Sequence, residues 1–251
     1  MNLKNSKKYL IVGFFVLIFF GCAQKNRIPS KVPILTKQIL NHLLIAMSDY
    51  QTGLLGEIDL LQNEKQPLEI SIHSDAIVRA PETLSYFYVV NRLGADNIEW
   101  GDRQQKKLLG QFSVGRGTNP QDIAVVSPEV AYVSRLSSKT LLKVNPQKGE
   151  ILKEIDPFDK ATPETVNSTD PDRFPEMTWM RISGNKLLVV LQRLNSEQGF
   201  EPSNKSQVAM VDINEDKVER IIDLKGTNPV TEIKPFGEGF SLGEAGKLGV
   251  L

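Results

Sequence analysis

The chain has 251 residues, 40% of them hydrophobic and 24% charged, with 30 basic residues against 30 acidic ones. That composition suits a packed globular body of one or two domains, and the neutral balance argues against nucleic acid as a partner, since phosphate binding needs a basic face. One cysteine and two histidines exclude a disulfide framework, a four-thiolate zinc site and any HExxH or CxxC motif, and no cofactor is expected.

Residues 1–21 read as a signal segment. Lys4, Lys7 and Lys8 form a positive start, and "LIVGFFVLIFFG" runs apolar from Leu10 to Gly21. A helix of that length is roughly 18 Å long, short of the ~30 Å hydrocarbon core of a bilayer. It has the length of a secretory h-region. The sole cysteine, Cys22, follows directly. Phe19-Phe20-Gly21-Cys22 resembles the lipobox of bacterial lipoproteins, with two Phe in place of the usual Leu and small residue. The resemblance implies diacylglycerylation of the Cys22 thiol and cleavage ahead of it. The acyl chains, at about 0.8 kcal/mol per buried CH₂, would anchor the protein to a membrane. Ala23 rather than Asp follows the cysteine, so the resemblance favours the outer membrane over the inner within the cell envelope. Loss of the first 21 residues leaves 27 basic against 30 acidic residues.

Residues 22–44 read as a tether. "AQKNRIPSKVP" (23–33) is polar with two prolines. "ILTKQILNHLL" (34–44) is ambiguous between helical and strand periodicity.

The body, 45–251, repeats. "GEIDLLQNEKQPLEISI" (56–72), "EWGDRQQKKLLGQFSVG" (99–115), "LLKVNPQKGEILKEIDP" (141–157) and "VAMVDINEDKVERIIDL" (208–224) each read as a strand ending in Asp or Asn, a polar turn and a second strand. The strand ends are Asp59, Asp102, Asn145 and Asp212, at spacings of 43, 43 and 67. Ahead of the later three stand "YFYVVNR", "VAYVSR" and "KLLVVLQR", each ending in Arg, and "IAMSDY" (45–50) takes that place in the first repeat. Further ahead stand "SDAIVRA", "NPQDIAVVS" and "PEMTWMRIS". Four short strands per repeat of about 43 residues predict an all-β propeller of four-stranded blades. "GTNP" occurs twice, at 117–120 and 226–229.

"NPQDIAVVSPEVAYVSR" followed by "TLLKVNPQKGEILKEI" resembles the YVTN-type β-propeller repeat, and "YVVNRLGADNIEWGD" matches part of the same pattern. The resemblance covers 45–251 and implies architecture, since propellers host binding, scaffolding and catalysis alike. About four blades and a fraction are expected. The fraction implies a truncated sequence, or closure by a partner or an unusual arrangement. Insertions at 158–174 and 194–206 are expected to project from one rim.

Asp75, Asp122, Glu176 and Glu232 fall near the start of successive inner strands, where they could ring the axis and hold a cation or polar ligand. Arg92, Arg135 and Arg193 end the next strands, as an anion site or as partners of those acids. In both sets the structural alternative, caps and ion pairs, is the stronger reading. Asp170 and Asp172 with Glu176 form an oxygen-rich loop that could suit calcium, interrupted by Pro171 and Pro175. Trp100 and Trp179 are expected in blade packing. His42 and His73 lack a nucleophile context. The preferred function is a lipid-anchored, non-enzymatic binding or scaffold module, with the membrane through its anchor and a protein or small ligand at its rim as partners. The alternatives are a lactonase or quinoprotein-like propeller enzyme, or a fragment without independent function.

Overall fold

The computed structural model describes residues 42–62, 64–158, 172, 174–202, 206–244 and 247–250. The 1–21 signal, Cys22, the tether up to residue 41, Asp170 and most of the 158–174 insertion lie outside the described residues. The fold is a β-propeller of antiparallel meanders. Blade I holds β1 (His42–Ser48), β2 (Gly53–Asp59) and β3 (Glu64–Ile72). Blade II holds β4 (Ala76–Arg79), β5 (Tyr86–Asn91), β6 (Asn97–Asp102) and β7 (Lys107–Ser113). Blade III holds β8 (Pro120–Ser127), β9 (Val130–Arg135), β10 (Leu141–Asn145) and β11 (Glu150–Ile155). Blade IV holds β12 (Met177–Ser183), β13 (Lys186–Leu191), β16 (Gln207–Asp212) and β17 (Lys217–Asp223), and its inserted loop forms a small hairpin of β14 (Leu194–Asn195) and β15 (Glu201–Pro202). Blade V shows β18 (Lys234–Phe236), β19 (Gly239–Glu244) and β20 (Lys247–Val250). The last residues of "ILTKQILNHLL" belong to β1, on the strand side of that ambiguity.

The hairpin turns form as their side chains dictate. Asp59 Oδ1 accepts from the N–H groups of Leu61 and Gln62 at 2.8 and 3.2 Å. Asp102 does the same for Gln104 and Gln105 at 2.8 Å each, Asn145 for Gln147 and Lys148 at 3.1 Å each, and Asp212 for Asn214 and Glu215 at 2.8 and 3.0 Å. A short side-chain oxygen at the strand end satisfies the two amides that the turning backbone would leave bare.

The middle strands are buried on both faces. Phe87 and Val89 of β5 pack with Leu55 and Ile70 of blade I, while Tyr88 and Val90 pack with Ile123, Val133 and Leu142 of blade III. In β13, Leu187, Val189 and Leu191 face Tyr132 and Leu141 of blade III, and Leu188 and Val190 face Ile233 and Leu242 of blade V. Alternation here sorts residues between two seams, so "YFYVVN" and "KLLVVL" read as continuous apolar runs. The outer strands β7, β11 and β17 are largely exposed.

The turn before each outer strand also docks on the preceding blade. In blade II, Lys106 (φ +51°) reaches Glu57 of blade I at 2.6 Å. In blade IV, Asp216 (φ +52°) takes Lys143 of blade III at 2.8 Å and the Tyr132 hydroxyl at 2.6 Å. In blade III the residue is Gly149 (φ +68°), where a Cβ would stand 2.8 Å from Cβ of Phe112. The three seams thus carry a cation, an anion and a bare backbone at one position.

Candidate functional site: the axis and the loop rim

Arg79, near the axis on β4, links the inner segments of the four later blades. Its Nε donates to Asp122 Oδ1 on β8 at 2.7 Å, and its Nη1 donates to Glu232 Oε1, two residues ahead of β18, at 2.6 Å. Its guanidinium lies 5.4 Å from the Trp179 ring on β12, a cation–π arrangement. Asp122 is 1% exposed. It also accepts from Ile123 N–H at 2.8 Å and from Met180 N–H of blade IV at 2.9 Å. A β-bulge between Pro120 and Asp122 turns this side chain. Burial pushes the Asp122 carboxyl up, and Arg79 and the two amides pull against that shift. Burial pulls the Arg79 guanidinium down, but Asp122 and Glu232 outweigh it and its pKa is raised. The pair is therefore a salt bridge whose carboxylate also accepts from two backbone amides. Its geometry ties blades together.

The sequence-predicted residues do not form one ring. Ala76, Pro120 and Met177 occupy one register position, opposite Asn91, Arg135 and Leu191. Asp75 and Glu176 stand one residue ahead of it, a place that Asn119 takes in blade III, while Asp122 lies inside its strand. Arg92, Arg135 and Arg193 occupy three different register positions. The similar strand endings slide by one residue between blades, and that corrects the expectation of two repeated sets.

Each residue has its own structural task. Asp75 pairs with Arg92, whose Nη1 also reaches Gln121 Oε1 at 3.3 Å. Glu176 Oε2 accepts from Leu194 N–H at 2.9 Å. Buried Arg135 donates to the carbonyls of Val114 and Thr140, both at 2.9 Å. Buried Arg193 donates to Gln207 Oε1 at 3.0 Å and lies 4.8 Å from the Phe158 ring. Asp172 caps Phe174 N–H at 3.0 Å through Oδ1 and Ser196 N–H at 2.8 Å through Oδ2. No group of three or more His, Cys, Asp or Glu that could hold a metal occurs among the described residues. Trp100 packs edge-on against Tyr86 at 5.5 Å. His42 pairs with Glu57 at 2.8 Å, and His73 Nδ1 accepts from Asp75 N–H at 3.1 Å. Sequence reasoning passed over Arg79. Its signal was a guanidinium ending the otherwise apolar inner strand "AIVR".

The second feature is the rim that carries the blade-to-blade connections and the loops between second and third strands. The first "GTNP" is clamped by Asp96, which accepts from Gly117 N–H at 2.6 Å and Asn119 N–H at 2.9 Å. In the second, Asn228 N–H donates to Ser206 Oγ at 2.8 Å. The described residues of the two insertions meet on this rim, where Asp172 of the first caps Ser196 of the second. A separate groove of about 400 Å³ lies between β11 and the β16–β17 turn. Its lining mixes charged Lys153, Glu154, Asp156 and Lys217 with Ile155 and Val218.

No protein-family model matches the sequence, and no curated protein matches it. Solved structures do. Over 92% of this chain and 58% of the other, it is similar to Kuenenia stuttgartiensis hydrazine synthase, with a TM-score of 0.58 and 17% identity. Over 84% of this chain and 60% of the other, it is similar to the WD40 β-propeller domain of Doa1, with a TM-score of 0.54 and 10% identity. The chain thus spans about three-fifths of the length of these structures. At such identities the likeness defines a fold class, the β-propeller.

Proposed function

We propose that the protein is a cell-envelope binding module, anchored through lipid on Cys22, that presents its loop rim to a partner without turning over a substrate. The observation that carries this reading is the meeting of the two longest connections on one rim at Asp172 and Ser196. Surface loops on a rigid scaffold are where binding residues concentrate. The axis, by contrast, holds an Arg79 whose hydrogen bonds go to Asp122 and Glu232. The lipobox resemblance supports the envelope setting, and the YVTN resemblance supports the propeller architecture.

The test is native electrophoresis after mild detergent extraction of membranes. Wild type is expected to migrate in an assembly larger than the 28.0 kDa chain in its micelle. Replacing residues 195–203 with Asn-Gly, a two-residue hairpin turn, is expected to release it from that assembly. Wild type migrating alone refutes the binding reading.

A further inference from the structure

We infer that this rim docks a folded protein whose apolar pockets receive Tyr50, Leu93 and Phe200 and whose surface is basic around the pockets for Tyr50 and Phe200. The inference rests on the binding-module reading and deepens it. These three side chains are 95%, 66% and 46% exposed. All three sit in the left-handed region, at φ +70°, +36° and +65°. The other non-glycine residues with positive φ among the described residues are Asp, Asn, Lys, Glu or Arg. Asn and Asp accept that conformation, whereas a bulky apolar residue there is a steric outlier.

The placement is selective. Tyr50 lies between β1 and β2, Leu93 between β5 and β6, and Phe200 between β13 and β16. All three are loops between the second and third strands of a blade, on the rim already described. Hydrogen bonds hold each loop. Tyr50 N–H donates to Ser48 Oγ at 2.9 Å, and Asp49 Oδ1 accepts from the next two amides. Leu93 N–H donates to Asn119 Oδ1 at 3.2 Å. Phe200 N–H donates to the Asn195 carbonyl at 2.8 Å, after a 3-10 turn that Asn195 caps. Glycine would relieve the backbone at each position. The exposed side chains add little to the packing of the fold. A partner that covers them accounts for both the strain and the exposure, and rigid loops lower the ordering cost of binding.

The occupant follows from size and charge. The three residues span blades I, II and IV, so a small molecule cannot touch all of them, whereas a protein interface can. Exposed Asp49 flanks Tyr50, and exposed Glu197 and Glu201 flank Phe200, whereas exposed Arg116 stands in the connection that holds Leu93; this calls for cations on the partner beside Tyr50 and Phe200 and an anion beside Leu93.

The test places a photo-crosslinking amino acid at position 50, 200 or 61 in the full-length protein in its native cells. Leu61 is an exposed apolar residue on the opposite rim. The same protein adduct is expected from 50 and 200 and none from 61. The partner identified by mass spectrometry is then purified. Its affinity is expected to fall about 30-fold for Y50G and for F200G, the size of a hot-spot loss, and to weaken with salt. Both variants should melt no lower than wild type, which separates lost contact from misfolding. An adduct from 61 alone overturns this docking face and leaves the module reading standing. Lipid adducts alone at 50 and 200 overturn it in favour of a membrane face. An identified protein whose affinity ignores both substitutions overturns it too. No adduct at any of the three positions refutes the docking face and the module reading together.

Discussion

Tyr88 and Tyr132 hold one structural position in two blades, and replacing each by Phe should have opposite effects. Tyr88 pairs across β5–β6 with Trp100, and Tyr132 pairs across β9–β10 with Lys143, each two residues before the strand-ending Asp102 or Asn145. Both rings are fully buried. The Tyr132 hydroxyl donates to Asp216 Oδ1 at 2.6 Å, whereas the Tyr88 hydroxyl has no hydrogen-bond partner among the described residues. The docking turn of blade IV offers Asp216 to Tyr132, whereas the equivalent residue in blade III is Gly149, which has no side-chain acceptor. Burial pushes both phenols up, and the Asp216 charge pushes Tyr132 further, so both are neutral at pH 7. A hydrogen bond to a charged group is worth about 1.5–3 kcal/mol. Asp216 keeps Lys143 when the hydroxyl is lost, so Tyr132→Phe should cost about 1–2 kcal/mol. Tyr88→Phe removes a buried, unsatisfied hydroxyl and should stabilise by about 1 kcal/mol. For a chain of this size that is a Tm about 2–8 °C lower for the first and about 2–4 °C higher for the second. Urea denaturation followed by circular dichroism, with unchanged m-values, measures both. The two substitutions lie in different seams and should add in the double variant. Equal shifts of the same sign would refute the seam assignment.

Arg79→Met leaves Asp122 buried without its cation and should cost on the order of 3 kcal/mol; adding Asp122→Asn should restore part of the loss in the same denaturation assay. Asp96→Ala removes the acceptor of two amides in the first "GTNP" loop and should cost about 1–3 kcal/mol, with hydrogen exchange rising at Gly117 and Asn119. Lys186 and two turn amides hold the Asp212 carboxyl down to about 2. Its stabilising contribution is therefore complete above pH 4 and is lost as pH falls toward 2, so Lys186→Met should flatten an acid titration of stability in that window. Burial pushes Glu99 up despite the Asn91 amide. The native state thus holds that proton more tightly, and the contribution favouring folding at low pH is lost as pH rises. Glu99→Gln should raise Tm at pH 7 and leave it unchanged near pH 4.

What was legible in the sequence was what is local. The hairpins at 56–72, 99–115, 141–157 and 208–224 fall on β2–β3, β6–β7, β10–β11 and β16–β17. A strand-ending Asp or Asn carries its turn with it, and each of the four makes the same two hydrogen bonds. The insertion at 194–206 was visible because it interrupts the apolar rhythm between β13 and β16. Registration was not legible. Asp122 looks like Asp75 and Glu176 in the text, yet a bulge sets it inside β8, and one residue of slip separates Arg92 from Arg135. Nor was the use of both faces of β5 and β13, because alternation looks the same whether its second face meets water or another blade. Arg79 was missed for a related reason. Its partners Asp122 and Glu232 lie 43 and 153 residues away, and only the closing of the inner strands around the axis brings them together.

The envelope-anchored module stands or falls on the chemistry of one thiol. Native protein should be extracted from membranes and digested with trypsin, and the peptide Cys22-Ala23-Gln24-Lys25 examined by tandem mass spectrometry. The account predicts a peptide that begins at Cys22, with a diacylglyceryl thioether on Sγ and an acyl chain on the new α-amine. A peptide that runs through Gly21 into Cys22 with a free thiol would contradict it.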